Sequence, residues 1–188
     1  QYFRDHYDEN MAQLPNILSG ITINRAEVWV TNKTGQTTNT RNIIALTDLG
    51  EASKIHNPLW TPGSTTVPAN AANTLYNIVS GINGVRNIST ATSALDGFGL
   101  TGGVDYEKLE SARLLSPSEY KVNAALGYIS LRSALQPDQV LAVAFEYTYR
   151  GTNYQVGEFS TDRKDNTETL LLKSLKNTAN SPSQGNWD

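Results

Sequence analysis

The sequence predicts an α+β fold, an antiparallel β-sheet of about five strands with helices packed on one face. Three observations carry that expectation. Residues 120–128 and 140–149 split into two sets by the period of two that puts every second side chain on one side of a strand. Residues 2–14 and 68–81 space their apolar side chains three and four apart, as one face of a helix requires. The chain has 188 residues, 38% of them hydrophobic, enough for one domain with a core.

The elements follow in chain order. Phe3, Tyr7, Met11 and Leu14 share a helical face, and Pro15 ends that helix. Residues 21–31 are rich in β-branched side chains, with Ile21, Ile23, Arg25, Glu27 and Trp29 on one face and Ala26, Val28 and Val30 on the other. A polar loop at 32–40 leads to a second strand at 41–47, so the two predict a long-looped antiparallel hairpin. Residues 48–66 hold Gly50, Pro58, Pro62 and Gly63 and show no period, which reads as irregular connection. Pro68 starts a helix carrying Ala72, Leu75, Tyr76 and Val79 up to Gly81, and a short helix follows at 90–95. Asp105 resembles an N-cap, with Tyr106, Leu109 and Ala112 on one stripe behind it and Pro117 beyond. Residues 67–116 therefore read as a helical insertion within a single domain spanning 1–188. Strands at 120–128 and 140–149, with Gln136-Pro137-Asp138 turning between them, and a tight turn at Arg150-Gly151-Thr152-Asn153 into 154–159 predict a three-stranded meander. The block Leu170, Leu171, Leu172 and Leu175 fits helix or strand, and helix is the expectation.

Composition removes several classes of chemistry. Zero Cys excludes disulfides, thiol nucleophiles and thiolate metal sites. A net charge of -3 supplies no positive field for a phosphate backbone, so nucleic acid is not an expected partner. No apolar run approaches the ~20 residues of a membrane-spanning helix. The opening Gln1-Tyr2-Phe3-Arg4, without a leader pattern, predicts a piece of a longer protein.

Four constellations bear on chemistry. Gly97-Phe98-Gly99-Leu100-Thr101-Gly102 fits G-x-G-x-x-G, but the small, polar residues 90–96 before it do not form the buried strand that a dinucleotide turn needs. His6 and His56 sit in no pattern with nucleophiles or carboxylates, so surface histidines are expected. Asp162, Asp165 and Glu168 lie three apart and could offer oxygen ligands to calcium, yet the loop glycine of an EF-hand is missing and Arg163 and Lys164 intervene. Arg25 and Glu27 share a strand face and read as a charge pair at the sheet surface or at an interface. No catalytic, cofactor-binding or metal residue is expected. Aromatic residues give the one candidate interaction surface, Trp29, Tyr147, Tyr149 and Tyr154, although cross-strand aromatic pairs also stabilise a sheet without binding anything.

Residues 19–32, beginning Ser19-Gly20-Ile21-Thr22-Ile23-Asn24-Arg25, residues 41–51, residues 140–149 and residues 154–160 together resemble a segment of the SprA/Sov family. Its members are very large outer-membrane proteins of Bacteroidetes, forming the translocation pore of the type 9 secretion system and, in some species, needed for gliding motility. The likeness is of order and wording across most of residues 2–176, weakest between 57 and 118, and it brings no catalytic motif. The resemblance implies a non-catalytic structural or interaction domain at the cell surface or periplasmic side of the outer membrane. Its implied partners are other segments of the same large chain, and secretion-system accessory proteins or exported cargo. The residues leave two other readings open, a binding module for surface glycans or peptides and a hydrolase, the latter disfavoured by the scarcity of His and absence of Cys.

Overall fold

The computed structural model describes residues 2–11, 20–123 and 127–179. Its elements are α1 (Tyr2–Met11), β1 (Ile21–Val30), β2 (Thr40–Leu46), α2 (Leu75–Gly81), α3 (Ile88–Gly97), β3 (Tyr106–Leu114), β4 (Tyr120–Asn123), β5 (Tyr128–Leu131), β6 (Leu141–Tyr149), β7 (Thr152–Val156) and β8 (Leu170–Lys176), with a 3-10 turn at Ser160–Asp162. The fold is mixed and mostly β. Strands run in the order β1-β3-β2-β8-β6, and β6 pairs back onto β1, so five strands close into a barrel. β7 extends β6 as a hairpin, and β4 and β5 form a separate two-stranded sheet. The sheet is not purely antiparallel as expected, because β2 and β8 run parallel.

Each barrel strand sends side chains inward, where Trp29, Ile43, Ala45, Leu109, Ala112, Ala142, Ala144, Leu170 and Leu172 form one buried cluster. Trp29 lies directly across from Ala142, and this pairing of large with small lets a narrow barrel fill without strain. The outward side is buried twice over. Ile44, Leu46, Tyr106 and Leu171 are covered by Leu75 and Val79 of α2, Ala91 and Leu95 of α3, and Trp60. Val28, Val30, Leu141 and Val143 meet Tyr120, Ile129 and Leu131 of the β4–β5 hairpin.

Double burial explains the largest departures from expectation. Leu170, Leu171 and Leu172 are all fully buried, so β8 shows no alternation and its apolar block imitates a helix. The expected helix after Asp105 is strand β3. Tyr106 faces the outer cluster and Leu109 the inner one, both buried. A bulge then sets Glu110 and Ser111 against Asn42 alone, which returns Ala112 to the inner face. The buried spacing of three thus comes from two buried faces and one extra residue. Segment 67–116 accordingly contains helices α2 and α3 and ends as a barrel strand.

Pairing departs from expectation as well. β1 and β2 do not form a hairpin, because β3 lies between them. The expected strand at 120–128 is two strands, with residues 124–126 outside the described set, and it does not join a meander with β6. A second bulge, at Asn24, sets Ile23 opposite Tyr147 and Arg25 opposite Glu146. It moves Ile21 and Ile23 onto the outward face and leaves Arg25, Glu27 and Trp29 inward, so the five residues read as one face are divided.

The expected tight hairpin from β6 to β7 is present, but its loop is two residues rather than four, and Thr152 and Asn153 already belong to β7. Arg150 at φ 50° and Gly151 at φ 80° have the positive φ values a type I′ turn requires. Arg150 is the less suited of the two, since left-handed backbone costs an ordinary residue about 1 kcal/mol. Arg150→Asn relieves most of that strain and forfeits about 0.5 kcal/mol of exposed contact with the Tyr149 ring, 5.0 Å away. A net gain of about 0.5 kcal/mol is expected in denaturant unfolding.

Candidate interaction surface

The outward faces of β1 and β6 are not fully covered. Between the β4–β5 hairpin and the rim of β8 runs an apolar groove of about 250 Å³. Its floor is Ala26, Val143 and Phe145, and its walls include Val122, Tyr128 and Leu175. The last three are 36%, 43% and 40% exposed, high for large apolar side chains. One polar pair borders it, Lys173 and Glu51, in contact at 2.7 Å. Burial would raise the Glu51 carboxyl, but Lys173 more than reverses this and holds it below its ordinary value.

Of the four aromatic residues expected to form a surface, the fold buries two. Trp29 fills the barrel and donates its indole N–H to Glu27 at 3.1 Å. Tyr147 is fully buried and donates its hydroxyl to the carbonyl of Pro68 at 2.8 Å. Tyr154 stacks on Tyr147 with ring centroids 5.4 Å apart, and Tyr154 and Tyr149 remain half-buried. The four therefore do not make one surface. The groove was missed because its wall residues lie on three separate elements, and Val122, Tyr128 and Leu175 carry no pattern that singles them out in the chain.

Arg25 and Glu27 do not form the surface ion pair expected of them. Both hold the loop between β7 and β8 in the barrel mouth. Glu27 accepts the backbone N–H of Ser160 at 3.0 Å and its hydroxyl at 2.9 Å. Arg25 grips Asp162 at 2.6 Å and lies 3.5 Å over the ring of Phe159, which is wholly buried in the barrel cluster. The hydrogen bond from Arg25 holds the Asp162 carboxyl below its ordinary value. From β2, Arg41 donates to the carbonyls of Ser160, Asp165 and Glu168 and to the side chain of Asn166 at 3.0–3.3 Å, leaving its Nε unpaired among the described residues. Burial lowers the Arg41 pKa.

The same loop carries Glu158, whose side chain is 5% exposed. Its carboxylate accepts Arg86 at 2.6 and 2.8 Å, Arg163 at 2.5 Å, Tyr76 at 2.8 Å and the backbone N–H of Leu171 at 2.9 Å. Burial opposes its charge, and the two guanidinium groups with the Leu171 amide outweigh that and hold it below its ordinary value. This tie joins α2, the turn before α3, the loop and β8.

The carboxylates weighed for calcium are separately engaged, Asp162 by Arg25, Asp165 by Thr167 and Glu168 by Arg163. Among the described residues no three His, Asp or Glu side chains gather as a metal site. His56 is exposed, with its backbone N–H on Asp48 at 3.1 Å, and the side chain of His6 lies outside the described set. The glycine stretch at 97–102 follows helix α3, not a strand. Tyr106 donates to Asp96 at 2.6 Å, and burial with this bond pushes its hydroxyl up to about 12. No helix among the described residues is long and apolar enough to cross a membrane, which says nothing of crossing by strands. No family model matches the chain, and no curated protein is significantly similar to it.

Proposed function

We propose that this chain is a non-catalytic structural and interaction domain of an outer-membrane protein-export pore of the SprA/Sov kind, acting in type 9 secretion and gliding motility. It makes its contacts through the groove walled by Val122, Tyr128 and Leu175, to other segments of the same large chain, to accessory proteins or to exported cargo. The observation that carries the reading is the contrast between this open apolar groove and the barrel mouth, where Glu27, Arg25, Arg41 and Glu158 are each consumed in holding a loop. An apolar surface with a polar rim suits binding to another polypeptide, whereas charged groups engaged by structural partners have little free capacity for acid–base work.

Location and identity are tested together. Intact cells producing the parent protein are treated with a membrane-impermeant amine reagent, and Lys121, on exposed β4, is expected to be modified without envelope rupture. Modification only after rupture places the domain on the periplasmic side. An open reading frame that does not continue into many ten-residue alternating segments would sink the pore assignment. The half-buried Tyr149 and Tyr154 favour one alternative, a glycan- or peptide-binding module. Glycan-array binding that is lost on replacing both with Ala would select it.

A further inference from the structure

The groove stands beside an element of this chain that has its own uncommitted apolar face. Helix α1 touches the β4–β5 hairpin through Tyr7, whose ring meets that of Tyr128 edge-on, with centroids 5.8 Å apart and planes at 80°. Tyr128 is itself a wall of the groove. Asp5, Asp8 and Glu9 are exposed while Tyr7 is half-buried, so the acidic side of α1 faces water and the Tyr7 side faces the hairpin. Positions 7 and 11 lie four apart and therefore on one stripe of the helix, the stripe of Tyr7 and Met11. Yet Met11 is 39% exposed, and Tyr7 is not among the residues lining the groove. The helix rests on the outer wall with part of its apolar stripe still in water.

We infer that the groove is a docking site for an amphipathic helix and that α1 is its occupant, pivoting about the Tyr7–Tyr128 contact to seat the Tyr7 and Met11 stripe between Val122, Tyr128 and Leu175. Two half-exposed apolar surfaces, already touching at one ring pair, lower their free energy by closing on each other. The i, i+4 spacing of Tyr7 and Met11 suits helix-in-groove recognition, in which apolar anchors on one helical face enter an apolar channel. Access to the groove is thereby governed by the chain itself, since a partner helix must displace α1. The acidic residues of α1 stay in solvent in the closed form and set the direction in which the helix can seat. This rests on the groove being an interaction surface, and it fails separately: another polypeptide could use the groove even if α1 does not.

A fluorescent peptide of residues 2–14 is titrated into the full chain, into Y7D, and into the Y7D/V122D double variant, with circular dichroism confirming that each variant is folded. In Y7D the resident helix cannot seat, and the peptide is expected to bind saturably, at least tenfold more tightly than to the unmodified chain, where α1 competes. A peptide that itself carries Tyr7→Asp, and the native peptide added to a Y7D/V122D double variant, are expected to lose that binding. Equal affinity for the unmodified chain and Y7D, absence of binding to both, or unaltered binding to Y7D/V122D overturns the inference.

Discussion

Replacing Glu158 with Ala is expected to lower the stability of the fold by about 3 kcal/mol, a large fraction of the roughly 5–15 kcal/mol typical of a domain. Five donors converge on this carboxylate, and its removal strands two of them in difficult positions. The Leu171 N–H lies in the sheet interior, and Arg86 keeps only 21% of its side chain in contact with solvent. Arg163 is more exposed at 33%, can turn to water, and keeps Glu168, which places the loss at the lower end for a broken buried pair. Glu158→Gln retains shape and one acceptor oxygen and is expected to lose less. The pH dependence identifies the cause. The folded-state pKa of Glu158 lies below its ordinary 4.5, so its contribution is complete above that value and disappears as pH falls through the folded value. Guanidine unfolding at pH 7 should separate the unmodified chain from Glu158→Gln, and the separation should shrink on moving to pH 3. A gap independent of pH would mean that Glu158 acts through packing alone.

Phe159→Ala is expected to be at least as severe, at about 3–5 kcal/mol. The ring occupies the barrel among Trp29, Leu170 and Leu172, and no neighbouring strand can move in to fill the space, because all five are held by pairing on both edges. Removal also takes away the surface on which Arg25 lies and the anchor that presents the Ser160 N–H to Glu27. Hydrogen exchange at Ser160 and Asp162 should accelerate more than exchange in α3, which touches neither. Phe159→Leu, which keeps most of the volume, is expected to lose less than about 1.5 kcal/mol. A loss below about 1 kcal/mol for the Ala variant would show that the loop does not depend on its plug.

These two positions were illegible in the chain. Glu158 and Phe159 lie between a strand ending at Val156 and a polar run, where nothing local marks a carboxylate that gathers two arginines from 72 and 5 residues away. The Arg25 and Glu27 pattern was visible as two charges on one strand face, but their partners are at 160 and 162, beyond the reach of any local period. The groove shares this property. Ala26, Val122, Val143 and Leu175 are ordinary apolar residues until four distant strands are brought to one place.

Elements governed by local chemistry were readable. The stop of β6 at Arg150-Gly151, the strand starting at Ile21 and the helical turns around Leu75 and Val79 follow from turn residues, β-branching and apolar spacing within a few residues of each other. The expected helix start at Pro68 does not, since residues 68–74 are non-helical and α2 begins at Leu75. What the sequence by itself determined was therefore where β1 begins, where β6 turns back and which apolar blocks join a core, since dihedral preference and hydrophobicity belong to each residue and its near neighbours. Only the tertiary structure decided which strand lies beside which, that β3 enters between β1 and β2, and that β8 joins β2 in parallel. Strand partners exchange hydrogen bonds across any sequence distance. A face buried on both sides, or a bulge such as those at Asn24 and Ser111, erases the period that would have announced the strand.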